Sequence, residues 1–298
     1  MRMKLQIAGC RLQVPPENLP VRFPSTFNFQ PSTFNLRRAF TLIELLTVLA
    51  IMALLAALAV PALKNFGRAD AMTAATAQMV GDIARARQLA MSERTTVYMI
   101  FVPTNFWQGL LSTVQNQPAV TNLCDKQLTG YTFATRGQLG DQPGQHQWHY
   151  LTAWQALPEG ACIAQQKFNQ LPGNSYTVTD PFDKSQSYRI YGFNLINSVP
   201  FPTETNTSSL LSFYSLPYIA FNYLGQLTTN GVDMAAAHEY IPLARANIVP
   251  SVNADTKTFQ LGSPQVMESP PGNSTNAYNI IDIDPLTGRA TLQQPKMQ

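Results

Sequence analysis

The sequence predicts an α+β chain, a long N-terminal helix packed on an antiparallel β-sheet, and three observations predict it. Residues 40–63 are an apolar run dominated by Leu and Ala, both strong helix formers. A helix-period apolar stripe then continues to residue 92. From Thr95 onward, short β-branched and aromatic runs alternate with Gly and Pro, the pattern of an antiparallel sheet.

The segment before the helix does not read as a folded element. Residues 1–39 are rich in Pro, Asn, Ser and Thr, and residues 24–37 repeat a seven-residue string, PSTFNFQ then PSTFNLR. Such a stretch cannot bury a core and is read as an unstructured leader. It also carries the chain's basic character. Of 20 Lys and Arg against 17 Asp and Glu, residues 1–39 hold Arg2, Lys4, Arg11, Arg22, Arg37 and Arg38 but only Glu17. The remainder is slightly acidic, so the overall excess of +3 does not point to a nucleic-acid partner. Charged residues are only 12% of the 298, about half the roughly 25% usual in soluble domains.

The helix begins on an apolar run long enough to cross a bilayer. Residues 40–63 would form about 36 Å of helix at 1.5 Å per residue, against a hydrocarbon core of about 30 Å. Arg37 and Arg38 favour a cytoplasmic N-terminus. A secretory signal has a shorter apolar core with its cleavage site after it, which this run does not match. Glu44 sits five residues into the run, where a carboxylate is costly unless paired or near an interface. On its own it reads equally as a helix-start acid favoured by the macrodipole.

The full string narrows these alternatives. Ala39 followed by Phe40-Thr41-Leu42-Ile43-Glu44-Leu45-Leu46 resembles the class III signal of type IV prepilins and type II secretion pseudopilins. The resemblance implies a pilin-like fold. It also implies cleavage between Ala39 and Phe40 by a prepilin peptidase acting on the cytoplasmic side, and methylation of the new Phe40 amine by the same enzyme. Glu44 then matches the family's assembly glutamate, and Pro61 its helix-kinking proline, although Pro61 also reads as the end of the membrane segment. Ala39 departs from the family's commoner glycine. The implied partners are the peptidase, other pilin or pseudopilin subunits and the inner-membrane assembly platform. The implied placement is a single-pass inner-membrane protein with a periplasmic C-terminal domain, later drawn into a pilus or pseudopilus.

Beyond the membrane segment, Met72, Met79, Val80, Ile83, Ala86, Leu89 and Ala90 recur at spacings of three and four over residues 64–93, an amphipathic continuation ready to pack on a sheet. The helix is expected to stop near Ser92 and Glu93. Residues 95–102 follow as the first strand. The stretch 84–102 further resembles the H-type pseudopilins and related minor pilins, where an arginine-bearing helix end runs into that strand. Later strands are expected at 188–193, 218–224, 247–249, 256–261, 278–284 and 289–292. The string 219–225, ending in Gly225, is similar to that family's hairpin, and 279–282 leading to Thr287-Gly288-Arg289 resembles its closing strand pair.

Residues 103–187 fit this plan least and are expected as an insertion in a β-rich domain covering 94–298. They contain Trp107, Trp148 and Trp154, which serve either ordinary core burial or a partner surface. They also contain Cys124 and Cys162, either a disulfide, which a periplasmic location would permit, or two buried thiols.

No nucleophile elbow, phosphate loop or dinucleotide fingerprint occurs. The chain is therefore expected to be non-enzymatic and to need no cofactor. His146 and His149 have one-turn spacing, but their Gln-, Pro- and Gly-rich surroundings do not suit a helix or a metal site. Asp282 and Asp284, ahead of Pro285-Leu286-Thr287-Gly288, read as a β-turn, with calcium ligation as the alternative. The competing function is a DNA-binding minor pilin, which needs an exposed basic patch. The nine Lys and Arg after Thr95 are scattered along the chain.

Overall fold

The computed structural model describes residues 41–110, 115, 117–137, 140–141, 146–180, 183–197, 199–204, 215–276 and 279–294, without the side chains of 58–70. The leader, Ala39 and Phe40 lie outside these residues. The chain divides into two units, Met1–Leu54 and Leu55–Gln298. Helix α1, Leu42–Glu93, runs from the first into the second and is helical on both sides of Pro61.

The two parts of α1 differ in what surrounds them. Every described residue from Thr41 to Ala57 is exposed, including Leu42 at 81% and Leu54 at 64%. A helix apolar on all sides has no face that water suits. Among the described residues no helix is long and apolar enough to cross a membrane, but the end of the expected span falls among the side chains not described. Further along, Met72, Ala75, Met79, Ile83, Ala86 and Ala90 form a buried stripe, one face of a 3.6-residue period. The alanines let the helix backbone lie close to the sheets.

The helix stops where the sequence expects. Arg94 takes a left-handed φ of 52°, and Thr95 N donates to Ala90 O at 3.2 Å, which closes the last turn as a Schellman motif. Strand β1, Val97–Phe101, follows at once. It is buried throughout and pairs antiparallel with β2, Gly130–Arg136, on one side and β9, Leu216–Phe221, on the other. The alternation of side chains across a strand divides β1 between two cores. Val97, Met99 and Phe101 meet the helix stripe, while Tyr98 and Ile100 face a second core.

Much of that second core comes from residues 103–187. Phe106, Leu110, Val120, Leu123 and Cys124 fold back over the outer face of β1 and β2. Short helix α2, Pro118–Thr121, belongs to this layer. Trp107, Trp148 and Trp154 are partly buried against it. Trp148 meets Tyr98 edge-on at 5.1 Å, and Trp154 Nε1 donates to Pro202 O at 2.8 Å. The segment also supplies strands that the sequence reading missed: β2 itself, then β3, Trp148–Tyr150, and β4, Gln155–Ala156, both paired with β2. Strand β5, Ala161–Ile163, joins a second sheet. The tryptophans thus serve packing, the first of the two readings above.

Helix α3, Gln165–Asn169, leads to the hairpin of β6, Ser175–Thr179, and β7, Ser187–Tyr191. Strand β8, Asn194–Ile196, and β10, Leu227–Thr228, complete the β9 side of the first sheet. The second sheet is built on β11, Glu239–Val249, with β12, Gln265–Glu268, β13, Asn279–Ile283, and β14, Ala290–Gln293. Helix α4, Asn273–Asn276, precedes β13. The sequence reading found only the last three residues of β11, because Pro242 interrupts it. A residue's N–H and C=O point to the same strand edge, and Pro242 O accepts from Ala164 N at 2.9 Å, just past the end of β5. Pro242 has no N–H to return that bond, so the β5–β11 ladder ends here. The strand expected at 256–261 is instead a single bridge between Val252 and Phe259.

Candidate processing and assembly site

The first polar groups of α1 form a capping box. Glu44 N donates to Thr41 Oγ1 at 3.3 Å, while Thr41 N and Thr41 Oγ1 both donate to Glu44 Oε2, at 2.9 and 2.8 Å. The two residues satisfy donors that an α-helix leaves open at its start. The Thr-x-x-Glu spacing is itself a sequence signature for this arrangement, and the sequence reading missed Thr41. Glu44 thus does close the helix, as its plainer reading requires. No described side chain between Thr47 and Ala57 carries charge, so this carboxylate is the one ionic group on a long apolar surface.

Residues 34–60 match the prokaryotic N-terminal methylation motif.

The match covers Ala39, Phe40 and Glu44 and ends just before Pro61. This motif is typical of type IV pilin-like structural proteins and implies processing by a peptidase and methylase of the pilin systems. Comparison with curated proteins and with solved structures gave no match.

Three residues that the H-type resemblance brought forward meet at the C-terminal end of α1. Arg87 Nε donates to Gly225 O at 3.3 Å. Gly225 and Gly288 both have left-handed φ, 77° and 62°. A Cβ on Gly288 would run into the Gly225 carbonyl and crowd Arg87 Cδ. Leu227 N donates to Pro285 O at 3.0 Å, so the β9–β10 turn and the β13–β14 turn lie side by side over the helix. The arginine and the two glycines are therefore one structural joint.

The remaining polar candidates have ordinary partners. Asp284 Oδ1 accepts from Thr287 N at 2.6 Å and Thr287 Oγ1 at 2.9 Å, and Gly288 N donates to Asp284 O at 2.8 Å. This is a closed turn, and the Thr287 hydrogen bonds hold the Asp284 carboxyl below its usual pKa. Asp282 points elsewhere, to His238 Nδ1 at 2.6 Å and Gln293 Nε2 at 3.5 Å. His149 lies on strand β3, not on a helix, and bridges Asp141 at 3.1 Å and Glu204 at 2.8 Å. Among the described residues no group of three His, Cys, Asp or Glu is placed to hold a metal.

The expected alternative of a disulfide is not met. Cys124 and Cys162 are both free, buried thiols in different apolar clusters. Burial, with Asp125 nearby, pushes Cys124 up to about 11. Burial, with Glu268 nearby, pushes Cys162 up to about 12. Thiols held protonated in this way are poor nucleophiles.

Lys167, on α3, was not singled out in the sequence, and nothing in its neighbours Gln166 and Phe168 marks it. It is completely buried, donates to Tyr191 O at 2.7 Å and to the Glu239 carboxylate, and lies 4.7 Å from the Phe193 ring centre. Burial lowers its pKa, against the raising effect of Glu239.

Proposed function

We propose that this chain is a non-enzymatic structural subunit, a minor pilin or pseudopilin, of a type IV pilus or type II secretion pseudopilus. A prepilin peptidase cuts it between Ala39 and Phe40 and methylates Phe40. The mature helix start anchors it in the inner membrane, and the β-rich domain lies in the periplasm. On this reading the chain is a subunit of the H-type minor pseudopilin kind, which the joint of Arg87, Gly225 and Gly288 supports.

The observation that carries the reading is the methylation motif at 34–60, whose part from Leu42 onward lies on a helix exposed at every described residue as far as Ala57. Such a surface is stable only among lipid tails or like helices. Within it, an uncompensated carboxylate is expensive. Cleavage creates a cation at Phe40, and Glu44 of an incoming subunit pairs with that amine on a neighbour. The Lys and Arg scatter does not favour the DNA-binding alternative, since Lys167 is enclosed in the core.

Mass spectrometry of membrane-extracted protein from cells with an active prepilin peptidase tests the first step. The expected N-terminus is N-methylated Phe40, and a retained leader overturns the reading. Glu44→Ala tests the second step. Membrane insertion is expected to persist and incorporation into fibres to fail, and normal incorporation removes the assembly role from Glu44.

A further inference from the structure

Where β9 and β10 of the first sheet meet the start of β11, the fold leaves a cleft of about 230 Å³. Ile219, Leu227 and the run Ala235, Ala236 and Ala237 line it. Three consecutive methyl side chains keep this wall open where longer ones would fill it. Glu239 also lines the cleft, and its side chain is 15% exposed. Lys167 holds Glu239 Oε1 from the buried side, and Oε2 accepts no hydrogen bond among the described residues. A carboxylate has about four acceptor positions, so this one has capacity to spare. Beside it, His238 lines the cleft and pairs with Asp282. Among the residues that line the cleft, Glu239 is the one carboxylate.

We propose that this cleft receives a long basic side chain, lysine or arginine, from an adjoining polypeptide. The volume lies below the range of about 300–1,000 Å³ common for organic ligands and suits one extended side chain. Lysine and arginine bury an apolar stem while the charged head finds an acceptor. Here the stem lies along the alanine wall, Ile219 and Leu227, and the head reaches Glu239 Oε2 in a charge-assisted hydrogen bond. That the polypeptide is a neighbouring subunit rests on the assembly reading above, but the cleft's preference for a cation does not.

The test uses the full chain in detergent micelles with labelled alanine and isoleucine methyls. The probes are Nα-acetyl-lysine methylamide, its uncharged norleucine counterpart and the glutamate counterpart. The lysine probe is expected to shift the methyls of Ala235, Ala236, Ala237 and Ile219 and to bind about tenfold or more tightly than the norleucine probe. Ala236→Leu should abolish this response, and Ala236 is exposed, so the variant keeps its fold. Glu239→Gln should reduce the lysine probe to the norleucine level. If Glu239→Gln does not fold, the comparison of probes on the unaltered chain and on Ala236→Leu decides the matter. Equal binding of the lysine and norleucine probes, preference for glutamate, no response, or a response that survives Ala236→Leu each overturns the proposal. Because the titration needs no fibre, it distinguishes failure of the cleft from failure of the assembly reading.

Discussion

In Glu239→Gln, the wholly buried Lys167 ammonium loses the carboxylate that compensates it. What remains is neutral: the amide oxygen of the substituted side chain, Tyr191 O at 2.7 Å and the Phe193 ring at 4.7 Å. Removing one partner of a buried ion pair costs about 3–5 kcal/mol. Glu239 keeps 15% exposure and so is already partly solvated, which places the loss near the lower end, about 3 kcal/mol. With a urea slope of about 1–3 kcal/mol per molar, the midpoint falls by about 1–3 M. The pH dependence separates this cause from a simple packing defect. Burial already lowers the Lys167 pKa, and Glu239 opposes that effect. Without Glu239 the folded-state value falls further below the unfolded value near 10.5. The unfolded chain then binds more protons than the folded one, so the variant gains stability as pH rises through that interval. Urea titrations of the full chain at pH 6 and pH 9, followed by tryptophan fluorescence, read both quantities. Lys167→Met combined with Glu239→Gln should recover most of the loss. A loss under about 1 kcal/mol, or a loss insensitive to pH, refutes the buried-pair argument.

Gly288→Ala forces a side chain into a left-handed backbone, which costs about 1–2 kcal/mol, and drives its Cβ against the Gly225 carbonyl; urea denaturation should show at least that loss. Gly81→Ala is the contrasting control, because an added Cβ there meets nothing within 4 Å and a helix-interior alanine gains about 0.5–1 kcal/mol. For His149, burial lowers the pKa, but the hydrogen bonds to Glu204 and Asp141 outweigh it and the net shift is upward. Its contribution is therefore complete below pH 6.5 and lost as pH rises through the raised value, so His149→Gln should cost most at pH 5.5 and least at pH 8.5 in paired denaturation curves. With Cys124 and Cys162 free, a strong reductant should leave the thermal midpoint unchanged, and a drop of several degrees would reveal a bridge between them.

The long helix and its stop were legible because each rests on local chemistry. The stripe of Met72, Met79, Ile83, Ala86 and Ala90 has only one period that fits. The end at Glu93 needs only one residue able to turn left-handed ahead of a β-branched run, although no glycine announced that Arg94 would do it. Strand β2 was not legible for a different reason. Gly130 to Thr135 is buried on both faces, so burial does not alternate along it, and the cover over its outer face comes from Phe106, Leu110, Val120, Leu123 and Cys124, a stretch with no strand period to announce it. Thr41 was legible and was overlooked, since its partner stands three positions on. Lys167 was not, because a buried lysine is defined by Glu239, 72 residues later, and by an enclosure that only the assembled sheets create.

The two parts of α1 answer different physical demands, and the difference bears on how the proposed subunit would work. From Met72 to Ala90 the helix meets the sheets along one stripe, and alanines at 75, 86 and 90 make the approach close. From Leu42 to Leu55 it has no stripe at all, since large apolar side chains project from every side. Packing without a preferred face fixes neither rotation nor register, because sliding such a helix past its neighbours exchanges one apolar contact for another. Register then has to come from an ionic contact, and Glu44 is the one charged side chain among the described residues of this stretch. In the uncut chain its carboxylate is satisfied by Thr41 N and Thr41 Oγ1, so the precursor helix can rest in an apolar medium without a partner. On the proposed reading, the cut before Phe40 places a cation next to this box. The box continues to satisfy Glu44 until a stronger, charge-assisted partner on a neighbouring helix replaces it. Thr41→Val separates these two roles. Without its hydroxyl the resting box keeps only the backbone donor, while the ionic pair between subunits is untouched. Insertion of the single precursor should weaken, and the register of any fibre formed should remain.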